Sequence, residues 1–186
     1  MTAAWAQLLA RYDAAALRAP EFAAQSSPWM GLNSAAEQAT FDALRRWCLA
    51  DSALRLAVAV LDNEAPETAS RLALQLALER DGSWQLSNCH SAFARLQLRA
   101  ITKLRDALTT WRWRTRQDAD PWDSGHLRHD PEGLRALNRF RPRRATLIVA
   151  DGVPRAGLQA AWAALQAQHA DYAHPVRLLV VGPGPV

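Results

Sequence analysis

The sequence predicts an α/β domain on a mixed sheet: an antiparallel three-stranded meander, then a parallel strand-helix-strand unit, with helices packed on it. Three observations predict it. Apolar residues alternate with period two over 54–61 and 71–79 and again beyond Asp81-Gly82. Two continuous apolar runs, "ATLIVAD" and "VRLLVVG", flank a helical stretch near the end of the chain. Residues 34–50 and 91–116 carry apolar residues at helical spacing.

Residues 3 to 18 have helical spacing, with Trp5, Leu8, Leu9, Tyr12 and Leu17 toward one side, and Pro20 ends the pattern. The turn-forming "APEFAAQSSPWMGLNS" follows. Ser34 and Glu37 form a Ser-x-x-Glu capping box, which pairs otherwise orphaned amides and starts a helix running to about Ala50. Leu54, Leu56, Val58 and Val60 then mark a first strand, and Leu72, Leu74, Leu76 and Leu78 a second. Asp81-Gly82 is the turn of a hairpin into a third strand carrying Trp84 and Leu86. Leucine and alanine are also good helix formers, so the second segment is open to a helical reading.

Residues 91 to 116 form the longest expected helix. Phe93, Ala100, Ile101, Leu104, Ala107, Leu108 and Trp111 share one face, and Arg95, Arg99, Lys103, Arg105, Arg112, Arg114 and Arg116 fill the remainder, with Trp113 among them. "QDADPWDSGHLRHDP" reads as a loop. A short helix near 132–138 leads through "RFRPRR" to a buried strand over "ATLIVAD". A helix with Pro154 in its first turn and a final strand over "VRLLVVG" complete a parallel crossover. The expected organisation is an N-terminal helix-and-loop appendage over residues 1–32 and one α/β domain over 33–186.

With 186 residues the chain can bury a sizeable core, and no apolar run reaches the ~20 residues that span a bilayer. The first residues lack the basic and apolar regions of a signal peptide, so a cytoplasmic location is expected. Cys48 and Cys89 have neither disulfide-framework nor Cys-x-x-Cys spacing and read as reduced thiols. Of 22 basic residues only Lys103 is lysine, a bias that a GC-rich genome explains as well as selection for anion contacts.

Charge distribution is more informative than the total of +4. Residues 1–94 hold seven basic against ten acidic groups, whereas 95–144 hold thirteen against six, a net of +7. Such a segment attracts nucleic acid, acidic protein or anionic lipid.

Several motifs lose their chemistry on inspection. The glycines of "VVGPGPV" have too few residues after them for the helix that a phosphate loop needs, so no dinucleotide cofactor is expected. Asp151-Gly152 follows a parallel strand, a common ligand position, yet its carboxylate is expected to cap the next helix. His126 and His129 lie near Asp123 and Asp130, but Gly125 argues for a loop with exposed histidines and no metal site. His90, His169 and His174 stand alone and read as structural.

A helix, three antiparallel strands, a helix and a strand also resembles the element order of restriction-endonuclease-like nucleases. Those enzymes need acidic residues and a Glu-x-Lys pair on consecutive strands to hold Mg²⁺ and an attacking water. Here the third strand reads Trp84-Gln85-Leu86-Ser87; Glu79 and Asp81 lie at the far end of the second, and Lys103 would have to replace the missing lysine. The resemblance therefore implies at most a degenerate scaffold.

The reading that follows is a non-catalytic binding protein for polyanions, nucleic acid first. Arg95, Arg99, Lys103, Arg112, Trp113, Arg114 and Arg116 would make the contacts, with Arg139, Arg141, Arg143 and Arg144 assisting. The alternative is an adaptor that binds an acidic protein through the same face. It could instead bind a partner or a second copy through the aromatic surface of Trp5, Tyr12, Phe22, Trp29 and Met30.

Overall fold

The computed structural model describes residues 15–18, 34–50, 54–62, 65–81 and 122–182. Their elements run β1 (Leu17–Arg18), α1 (Ala35–Leu49), β2 (Leu56–Leu61), α2 (Pro66–Arg80), β3 (Asp123–Leu127), α3 (Pro131–Leu137), β4 (Thr146–Asp151), α4 (Arg155–Gln166), a 3₁₀ turn (His169–Asp171) and β5 (Val176–Val181). The fold is α/β. Its sheet has five strands among the described residues, in the order β1-β3-β4-β5-β2. Only β1 runs antiparallel, against β3; the other neighbours are parallel.

The centre of the sheet explains itself. β4 and β5 are predominantly apolar, interrupted within β5 by Arg177, because helices cover both their faces. Ile148, Ala150, Leu178 and Val180 point toward α3, α4 and Tyr172, which close one core; Leu147, Val149 and Leu179 point toward α1 and α2, which close the other. β4, α4 and β5 form the expected parallel unit, paired from Thr146↔Val176 to Asp151↔Val181. Ser34 caps α1 as its motif predicts, its Oγ accepting from Glu37 N at 3.1 Å.

The meander is corrected. β2 pairs parallel with β5, from Leu56↔Val176 to Leu61↔Val181, and the segment expected as the second strand lies within α2. Its period-two leucines are compatible with both readings, and the helical one wins through its surroundings. Pro66 and Glu67 suit a first turn, and Ala69, Leu72, Ala73, Leu76 and Ala77 repeat at helical spacing on the buried side. Arg71 meets Glu37 at 2.8 Å and Glu79 meets Arg45 at 3.0 Å, tying α2 to α1. A helix enclosed between a sheet and another helix needs a wide apolar surface, and leucine at alternate positions supplies one. Trp84 and Leu86, placed on the third strand, lie outside the described residues.

Two further corrections concern the edge opposite β2. Leu17 and Arg18, expected at the end of a helix, form β1, with Ala16 and Leu17 fully buried. Asp123–Leu127, expected as a loop, is β3. Gly125, which argued against regular structure, is required there. A Cβ at that position would stand 2.9 Å from Leu17 Cβ and 3.0 Å from the Arg18 carbonyl, so the close approach of β1 excludes any side chain. No helix among the described residues is long and apolar enough to cross a membrane.

Candidate functional site

Of the residues expected to bind anions, Arg139, Arg141, Arg143 and Arg144 are described. They leave α3 in a chain pinned by two apolar anchors: Phe140 is buried with its ring edge-on to Tyr172 at 6.3 Å, and Pro142 is buried beside it. Arg141 reaches Asp171 at 3.4 Å, donates to the Phe140 carbonyl at 3.0 Å and contacts Gln168. Arg143 makes a two-pronged pair with Asp123, Nε to Oδ2 at 2.8 Å and Nη2 to Oδ1 at 3.2 Å. Arg144 adds an Nη1 to Oδ1 approach of 3.7 Å. Arg139 is exposed.

The carboxylate at the centre of this cluster is itself buried. Burial pushes the Asp123 pKa above its ordinary value; Arg143 and Arg144 pull against that shift, and the charge of Asp81 adds to it. Asp123 opens β3, and its backbone N–H donates to the Ala145 carbonyl at 2.9 Å, next to the start of β4. The arginine pair therefore fastens the α3–β4 connection to β3. "RFRPRR" divides into Arg139, available to solvent, and three arginines whose guanidiniums are already engaged within the molecule.

Arg95, Arg99, Lys103, Arg112, Trp113, Arg114 and Arg116 lie outside the described residues, as do Trp5, Tyr12, Phe22, Trp29 and Met30. Glu79 is on a helix and paired with Arg45, and Asp81 ends that helix with its N–H on the Ala77 carbonyl at 2.9 Å. The strand that would carry both acids in a nuclease-like order is thus absent from 66–80, and the resemblance loses its basis.

Sequence reasoning missed a layer of buried charge. Arg80, Asp81, Asp123 and Arg177 are all buried. Arg177, inside an apolar strand, donates to the Leu54 carbonyl at 2.9 Å and the Ala50 carbonyl at 2.8 Å, bracing the α1–β2 connection. The signal was present, since one arginine within "VRLLVV" cannot be buried without partners.

At the opposite ends of the strands, Asp151 closes β4 and Gly152 follows with φ +64°, a left-handed turn open to solvent. The expected cap is not made: α4 begins at Pro154, which has no side-chain cap, because the turn and Val153 separate Asp151 from the helix amides. Asp62, just beyond β2, is exposed. His126 is a half-buried strand residue, not an exposed loop residue, whereas His129 is exposed. No group of three or more His, Cys, Asp or Glu residues among the described ones has metal-binding geometry. A shallow depression of about 200 Å³ on α1 is lined by Asp42, Arg45, Arg46 and Leu49, so both signs of charge meet there.

No family model, curated protein or solved structure matches the chain.

Proposed function

We propose that the protein is a non-catalytic polyanion-binding protein, nucleic acid being the first ligand, that makes its contacts through Arg95, Arg99, Lys103, Arg112, Trp113, Arg114 and Arg116. The observation that carries this reading is the concentration of positive charge in one stretch of the sequence. Residues 95–121 hold seven basic groups against three acidic ones. Arg143 and Arg144 are paired with the buried Asp123, so in this reading they serve the fold first. Arg139 and Arg141 are the described arginines of the group that are exposed and so placed to assist.

Guanidinium groups make paired contacts with phosphate oxygens, and an exposed indole offers a platform for an unpaired base, worth roughly 1–3 kcal/mol. Contacts of this kind give affinity with little sequence specificity. The test is binding of a fluorescent single strand by wild type and by a variant with Arg112, Trp113 and Arg114 replaced by alanine. At least a tenfold loss with an unchanged circular dichroism spectrum supports the reading, and equal affinity contradicts it.

A second reading, self-association of an adaptor, is favoured by one described surface. Val58 and Val60 on the edge strand β2, and Leu54 just before it, are exposed large apolar side chains.

A further inference from the structure

The two edges of the sheet are protected unequally. β1 is two residues long and offers almost no ladder to a foreign strand. β2 is six residues long, contains no charge and no proline, and among the described strands pairs with β5 alone. Proteins that keep such an edge solitary guard it with charge, proline or a bulge. The segment 54–61 carries one charged residue, Arg55, and its guanidinium donates to the Ala173 carbonyl at 2.8 Å.

The ladder's parity shows which backbone groups are open. Val176 N donates to the Arg55 carbonyl at 2.8 Å and Gly182 N to the Leu61 carbonyl at 3.2 Å. The odd-numbered residues of β2 therefore face β5, and Leu56, Val58 and Val60 turn their N–H and C=O groups outward. No other strand among the described residues takes these groups. The same residues put their side chains on one face: Leu56 packs on the α4 core, Val58 is 36% exposed and Val60 46% exposed.

We propose that this edge is a dimerisation edge, at which β2 pairs antiparallel with β2 of a second copy of the chain about a two-fold axis at Val58. The three outward residues are symmetric about Val58, so Val58 meets its own counterpart and Leu56 meets Val60, each pair exchanging both backbone hydrogen bonds. The three outward-facing pairs within β2 are then apolar, with β-branched valine on the axis. Neutrality selects this occupant, because a two-fold axis brings each side chain to its own copy and a charged edge would repel itself. The result is one continuous sheet across two molecules. The inference is independent of polyanion binding.

Sedimentation velocity over about 1 to 100 µM protein tests it, with Val58→Lys and Val58→Pro as variants. The lysine sets two ammonium groups against each other on the axis. The proline removes an N–H that the β2–β5 ladder does not use. The wild type is expected to dimerise, and both variants to weaken the dimer at least tenfold while keeping the wild-type circular dichroism spectrum. If Val58→Pro fails to fold, Val58→Lys decides, since it changes only an exposed side chain. A wild type that stays monomeric throughout, or a dimer that Val58→Lys leaves intact, overturns the proposal.

Discussion

Asp123 has two arginines within reach, but its burial still holds the proton on more tightly than water would. Its folded-state pKa lies above the unfolded value, so its stabilising contribution is full below the unfolded pKa of about 3.9 and is lost as pH rises through the folded one. The deficit of Asp123→Asn relative to wild type should therefore be larger in acid than at neutral pH, as read by urea unfolding at both. A deficit that grows toward neutral pH would mean that pairing with Arg143 outweighs burial. Arg143→Ala leaves the carboxylate with the more distant Arg144 and should cost about 3 kcal/mol, the lower end for breaking a buried pair. Polyanion binding by that variant should be unchanged. Tyr172 gives a second residue-scale check. Its buried hydroxyl donates to the Leu165 carbonyl at 3.3 Å, and burial pushes its pKa up to about 12. The chain has two tyrosines, so one of the two phenolate absorbance steps should fall near pH 12. A raised tyrosine pKa makes stability fall as pH climbs from about 10 toward that value.

Among the elements, legibility followed burial. β4, α4 and β5 were readable because a strand covered on both faces must be a continuous apolar run, and the Ser34 cap was readable because its chemistry is local. α2 was not, because its enclosure blurs the helical period: Leu72, Leu76 and Leu78 are buried, and Leu74 half-buried. The two readings separate by mutation. A strand would treat Leu74 and Leu76 alike. The helix predicts that Leu76→Ala costs about 3 kcal/mol and Leu74→Ala clearly less, measured by chemical denaturation. β3 was hidden by its composition, since Asp, Ser and Gly seldom make strands. What selects the strand is long-range: Arg143 and Arg144 hold Asp123, and β1 approaches Gly125. Gly125→Ala should therefore cost about 1–3 kcal/mol in the same assay by pushing β1 away. The candidate site was legible only in part. Sequence showed where positive charge gathers, but it could not sort solvent-facing Arg139 and Arg141 from Arg143 and Arg144, because the acidic partner of the latter two, Asp123, lies 20 or more positions away.

At the scale of the molecule, helices cover both faces of the sheet, no described strand pairs with the outer edge of β2, and the excess positive charge is gathered in one stretch of the sequence. Among the described residues the fold is stabilised by apolar layers and by the ion pairs of buried Asp123 with Arg143 and Arg144. In the proposed function the basic groups of residues 95–116 meet a counter-charged ligand, and release of condensed counterions would give its binding a characteristic salt dependence. The most direct test is fluorescence anisotropy of a labelled single strand and a labelled duplex from about 50 to 200 mM salt. Binding in the micromolar range or tighter that weakens steeply with salt is the predicted result, with preference for the single strand if Trp113 stacks on bases. Absence of binding to either strand form at the lowest salt would contradict the account.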